Sequence, residues 1–183
     1  MRHDECDIST RVARGKNEEA KCLECLRLYG WKLENATYQE DKYEKTDAFW
    51  IDPITSKRER CAIKIRDTKN DILVAVRDPW YGESNKSTVI GRDMKYEYKY
   101  YITRSLDKKT LRIASGRRIH EIINEMMEEA KEKAWSFPLD SAIHEGCQLR
   151  YHVDRRSNKP KILGFVSPDY LKPNEIMYIP YKE

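Results

Sequence analysis

Five consecutive residues, Ile72-Leu73-Val74-Ala75-Val76, are apolar without interruption. A strand with one wet face alternates apolar and polar side chains, so an unbroken run reads as a strand covered on both faces. The chain must therefore supply layers to cover it. One layer is written plainly further on: Ile119, Ile122, Ile123, Met126, Met127, Ala130 and Ala134 recur at three- and four-residue spacing and form the stripe of a helix. Ser115 suits the N-cap of that helix. A second helix is expected over residues 16–29, where Ala20, Cys22, Leu23, Cys25, Leu26 and Tyr29 share the same spacing and Gly30 stands at the stop position.

Short extended segments lie between these helices. Residues 47–51 carry Phe49 and Ile51 and end at Asp52-Pro53. Residues 60–66 alternate, with Cys61, Ile63 and Ile65 on one face and Ala62, Lys64 and Arg66 on the other. A polar turn at 67–71 predicts that this strand and 72–76 form a hairpin. Tyr96, Tyr98, Tyr100 and Ile102 alternate over 96–103, and 111–114 reads as another strand. Cys147, Leu149, Tyr151 and Val153 alternate again, and 162–166 is expected to pair back onto them as a C-terminal hairpin. The tail, with Pro168, Pro173 and Pro180, reads as extended chain at a sheet edge. Residues 1–14 and 35–45 are polar and read as a flexible arm and a loop. The expected fold is one domain over 1–183 of mixed α/β (α+β) class, with a mixed central β-sheet flanked by helices and a C-terminal β-hairpin extension.

With 39% hydrophobic and 36% charged residues, the chain reads as a folded domain with a heavily charged surface. No apolar run reaches membrane-spanning length, and Met1-Arg2-His3-Asp4-Glu5 lacks the apolar block of a signal peptide, so no membrane partner is expected. Five scattered cysteines fit a reducing cytoplasm. Cys22-x-x-Cys25 lies within a helical pattern with no second CxxC and no paired histidines, which favours buried thiols over a zinc site. The net charge of +4 is compatible with a polyanion partner without requiring one.

The stretch with chemistry in it runs from the first helix to residue 76. Glu19 lies in line with Leu23 and Leu26, Asp47 heads one strand, and Lys64 falls on the next, 17 positions later. Phosphodiester hydrolysis needs carboxylates to hold a Mg²⁺ (or Mn²⁺) that activates water, and a lysine to orient the nucleophile or offset developing charge. This layout resembles the PD-(D/E)xK, restriction-endonuclease-like nucleases. There a helix acid, an Asp at a strand start and an acid-x-Lys triplet on the following strand form the site. Thr46-Asp47 looks like the first strand motif, Ala62-Ile63-Lys64 stands in the place of the triplet, and Glu19 looks like the helix acid. The resemblance covers roughly the first 80 residues. It implies a restriction-endonuclease-like core, a Mg²⁺-dependent endonuclease acting on DNA, catalytic Asp47, Lys64 and Glu19, and metal ligation by Asp47 and Glu19. The departure is Ala62, where the family has Glu, Asp or Gln. A literal Asp67-Thr68-Lys69 offers a second register. A nuclease-like fold that binds nucleic acid or protein without cutting is the alternative.

Basic residues border this region. Arg58, Arg60, Arg66, Arg117 and Arg118 are candidates for phosphate contacts, against the reading of a surface laced with salt bridges. Tyr96, Tyr98, Tyr100 and Tyr101 suit stacking on bases, although a run of this kind more often packs in a sheet. Enzymes that cut both DNA strands are often symmetric dimers, so a homodimer is a further expectation.

Overall fold

The computed structural model describes residues 4–66, 69–79, 88–132, 140–144, 147–154 and 159–182. It is a mixed α/β fold. In chain order the elements are α1 (Asp4–Leu28), β1 (Leu33–Asn35), α2 (Tyr38–Glu44), β2 (Ala48–Ile51), β3 (Arg58–Ile63), β4 (Ile72–Pro79), β5 (Thr88–Ile90) and α3 (Arg92–Lys95). Then follow β6 (Tyr100–Arg104), β7 (Thr110–Ser115), α4 (Gly116–Glu132), β8 (Asp140–His144), β9 (Cys147–Asp154), β10 (Lys159–Val166) and β11 (Ile176–Pro180).

The first sheet has six strands in the order β1-β2-β3-β6-β7-β11, and it is mixed because β3 and β6 run parallel while its other pairs are antiparallel. Its two faces have different covers. Cys61, Ile63, Ala48, Ile102 and Ile113 face α1, which supplies Cys22, Leu23, Cys25 and Leu26. Ala62, Tyr101 and Ala114 face α4, whose Ile119, Ile122, Ile123 and Met126 are fully buried. Burial of such side chains contributes roughly 1.5–3 kcal/mol each, so these two helices carry much of the core. The alternation expected over residues 60–66 is present as far as Ile63, where β3 ends, with apolar cover on both sides.

α1 stops where the sequence places its stop. Gly30 has φ 82°, and its N–H donates to Arg27 O at 3.0 Å while the Trp31 N–H donates to Leu26 O at 3.1 Å. That is a left-handed helix end, which a glycine adopts without strain. The start differs from expectation: residues 4–14 are helical rather than a loose arm.

Residues 35–45 also differ, since they contain α2. Thr37 caps it through the Glu40 N–H, and the Glu40 carboxylate accepts from the Thr37 N–H at 2.8 Å. This is a capping box. No residue of α2 is buried, so its sequence lacks the apolar stripe that marks a helix.

The expected hairpin of residues 60–66 and 72–76 does not form. β3 ends at Ile63 and takes β6 as its other neighbour, while β4 belongs to a second, antiparallel sheet of order β5-β4-β10-β9-β8. The β9–β10 hairpin is present and sits inside this second sheet. Ile72, Val74 and Val76 point from β4 into the core shared with α4 and the first sheet. Gly164 of β10 lets α4 approach: a Cβ there would lie 2.2 Å from Ile123 Cδ1. The tail forms β11 along β7, as its prolines suggest. Among the described residues no helix is long and apolar enough to cross a membrane.

Candidate active site

Asp47 immediately precedes β2. Its N–H donates to Cys61 O at 3.3 Å, and its Oδ2 accepts the Ile63 N–H at 2.6 Å. The carboxyl is thereby fixed against the end of β3. Lys64 is the residue after β3 and not within it. Its N–H donates to Ile102 O at 2.8 Å, which extends the parallel pairing by one step, and its side chain is 14% exposed. Glu19 sits on α1, one turn before Leu23, at the margin of the helix face that packs on the first sheet.

These three side chains border one cleft of about 550 Å³, together with Asp93, Asp41, Lys16 and Arg66. Two of the carboxyls there, Glu19 and Asp47, are not at ease as anions. Burial, reinforced by the Asp47 and Asp41 charges, pushes the Glu19 carboxyl up to about 7. Burial also raises Asp47, against the Ile63 N–H and the Lys64 charge, which favour its ionised form. Desolvation disfavours a charge, and a nearby like charge disfavours it further. Groups perturbed in this way in a cleft are functional candidates.

Asp93, from α3, was not visible as a site residue in the sequence. Its Oδ1 accepts from Lys64 Nζ at 3.0 Å and its Oδ2 accepts the Ala75 N–H of β4 at 2.7 Å, with its side chain 2% exposed. A single carboxylate thus ties the lysine to the second sheet. The neighbouring Gly91 permits this contact, because a Cβ there would lie 2.1 Å from Ala75 O. The polar chain continues behind Asp93. The Tyr101 hydroxyl donates to Asp93 O at 3.4 Å and lies 3.0 Å from His120 Nε2.

Ala62 is fully buried in the core beside Tyr101 and α4. An acid at that position would point into apolar packing and not into the cleft. Asp67 and Thr68 of the alternative register lie outside the described residues.

His120 borders a second cleft of about 660 Å³, where Arg58, Arg60 and Arg117 also gather. Arg66 lines the first cleft, and Arg118 lines neither of the two. All five candidate arginines meet carboxylates. Arg58 Nε lies 2.9 Å from Glu34, Arg60 2.7 Å from Glu44, Arg66 3.9 Å from Asp71, Arg117 2.9 Å from Glu121 and Arg118 3.2 Å from Glu125. The salt-bridged surface accounts for these contacts. Tyr98 and Tyr101 are buried, and Tyr100 packs edge-on against Trp31 and Trp50 at 5.3 and 5.5 Å, so these rings serve the core. Cys22 and Cys25 are likewise buried, and burial pushes the Cys22 thiol up to about 12.

The donor chemistry of the first cleft suits a hard cation. Mg²⁺ is commonly held by one or two carboxylates and keeps several waters, and Glu19 and Asp47 are two carboxyls whose ionised forms burial disfavours more than their neighbours favour them. Among the described residues no group of three or more His, Cys, Asp or Glu is arranged to hold a metal, so protein atoms alone would not complete the shell. Comparison with family models, with curated proteins and with solved structures finds no match for this chain.

Proposed function

We propose that the Glu19–Asp47–Lys64 cleft is the active site of a Mg²⁺-dependent endonuclease that hydrolyses DNA phosphodiester bonds on a restriction-endonuclease-like core. The observation that carries this reading is the meeting of a helix acid, the acid ahead of β2 and the lysine after β3 in one cleft. Both carboxyls there are held above their usual range.

Asp47 and Glu19 would hold the cation, with Asp47 aimed by its bond to the Ile63 N–H. Bound there, Mg²⁺ would supply the charge that acidifies a water and offsets the departing oxygen. Lys64 is held by its bond to Asp93. Held there, it can orient the attacking water or a non-bridging phosphate oxygen. Lys16 and Arg66 at the rim add positive charge suited to the flanking phosphates.

A nicking assay on supercoiled plasmid tests the reading. Cleavage is expected with Mg²⁺ or Mn²⁺ and not with EDTA. Lys64→Ala should lower the rate about 100- to 1000-fold, the usual effect of losing one electrostatic contact to the transition state, while leaving Mn²⁺ affinity unchanged or higher. The burial of Ala62 favours a second reading, a nuclease-like fold that binds nucleic acid without cutting. DNA binding with no cleavage in either metal would select it.

A further inference from the structure

α2 is an unusual helix for a domain of this kind. It buries none of its residues, yet it displays two large aromatic rings, with Tyr38 69% and Tyr43 65% exposed. Seven residues are too few to hold a helix on their own. This one is tethered from outside: the Tyr98 hydroxyl donates to Lys45 O at 2.9 Å, the Tyr96 hydroxyl to Tyr43 O at 3.3 Å, and Arg60 pairs with Glu44 at 2.7 Å. The tethers use backbone and carboxylate groups. The tyrosine rings take no part in the core, so packing does not explain them.

Their setting is informative. The Lys42 ammonium lies 5.3 Å from the centre of the Tyr38 ring and 5.2 Å from that of Tyr43, so one cation stands over two exposed rings. Tyr38, Lys42 and Lys45 line the same cleft as Asp47 and Lys64. The acids of α2 are each paired, Glu40 with Arg58, Asp41 with Lys16 and Glu44 with Arg60. The aromatic faces beside the Lys42 ammonium match a single nucleic-acid strand, whose bases stack on rings while its phosphates meet cations. A paired duplex keeps its base faces inside the helical stack, where rings on a protein surface do not reach them.

We infer that α2 holds an unpaired stretch of nucleic acid at the mouth of the cleft, with bases stacked on Tyr38 and Tyr43 and a phosphate at Lys42. The substrate class is then DNA with single-stranded character, such as a flap, gap or frayed end. This inference rests on the reading of the cleft as a nucleic-acid site.

Fluorescence anisotropy in EDTA, where no cleavage intervenes, tests it. The probes are a labelled single-stranded oligonucleotide and the same sequence as a blunt duplex. Wild type should prefer the single strand. Tyr38→Ala/Tyr43→Ala should weaken single-strand binding by about 5-fold or more per ring, since stacking on each ring is lost, and should barely alter duplex binding. Tyr38→Phe/Tyr43→Phe should bind as wild type does, because the ring face is kept. Both positions are exposed, so neither change disturbs the core. Unchanged single-strand binding by the double-alanine variant overturns the inference. If duplex binding persists at the same time, the cleft reading survives alone. Wild type that binds neither probe overturns both.

Discussion

The clefts around Asp47 and around His120 hold similar numbers of charged groups and treat them differently. In the cleft around His120 the arginines lie at the surface and meet carboxylates: Arg117, 90% exposed, pairs with Glu121, and Arg58 with Glu34 and Glu40. In the cleft around Asp47, the Glu19, Asp47 and Asp93 carboxyls are drawn in from water. Lys64 is committed to Asp93 and Lys16 to Asp41, and Glu19 and Asp47 are left resisting ionisation. Exposed ion pairs are worth little and are easily exchanged. A buried carboxyl without a countercharge has a cost, and it persists where a cation or a substrate relieves it. The count of charges does not distinguish the clefts; how far each charge is satisfied does.

Placing a carboxylate where the fold has no room for one tests the boundary of the first cleft most severely. Ala62→Glu should destabilise the protein by about 3–5 kcal/mol, the range found for an uncompensated buried charge. Ala62 sits in packed core with Tyr101, Ala114 and the apolar face of α4. Urea denaturation would show the lowered midpoint. An unchanged midpoint with tighter Mn²⁺ binding would mean that residue 62 reaches the cleft after all.

Removing the charge of Asp93 tests whether Lys64 is held or merely nearby. Asp93→Asn keeps an oxygen for the Ala75 N–H but leaves the Lys64 ammonium half-buried without its anion. A loss of about 2–3 kcal/mol is expected by the same reasoning. Urea denaturation would show the loss as a lowered midpoint. A midpoint identical to wild type would contradict the clamp.

Glu19 gives a smaller effect with a definite sign. Its folded-state pKa is raised to about 7 from the ordinary 4.5. Its contribution to stability is therefore fully present below pH 4.5 and is lost as pH rises through 7. Scaled down for partial exposure, the loss is about 1–2 kcal/mol across that window. Glu19→Gln should flatten this part of the pH profile and be more stable than wild type at pH 8 in the absence of metal. Equal slopes for the two proteins between pH 4.5 and 7 would show that Glu19 is not strained.

In the other cleft, Arg117→Ala should leave the denaturation midpoint unchanged within error, because its partner Glu121 lies with it on the helix surface. A marked loss there would mean that the second cleft also stores uncompensated charge.

Much of the local structure is legible in the sequence. The stripe Ile119, Ile122, Ile123 and Met126 is α4, Gly30 ends α1, and the alternation from Cys147 pairs with β10. Each depends on spacing within a few residues. What the sequence hides depends on distant partners. The parallel pairing of β3 with β6 and the transfer of β4 to a second sheet have no local mark. α2 carried one sign, Thr37-x-x-Glu40, but its surroundings hold it in place and it has no stripe of its own. Asp47, Lys64 and Glu19 stood out through order and spacing along the chain. Asp93 did not, because its partners Lys64 and Ala75 are 29 and 18 residues away.

Plasmid nicking in Mg²⁺ by Asp47→Asn beside Arg117→Ala compares the two clefts in a single assay. The asparagine keeps an acceptor for the Ile63 N–H, so the fold stays while the charge goes. Cleavage should fall at least about 100-fold in Asp47→Asn, as for loss of an electrostatic contact to the transition state, and remain within about twofold of wild type in Arg117→Ala, whose exposed pair contributes little. Full activity in Asp47→Asn, or loss confined to Arg117→Ala, would place the chemistry outside the Glu19–Asp47–Lys64 cleft.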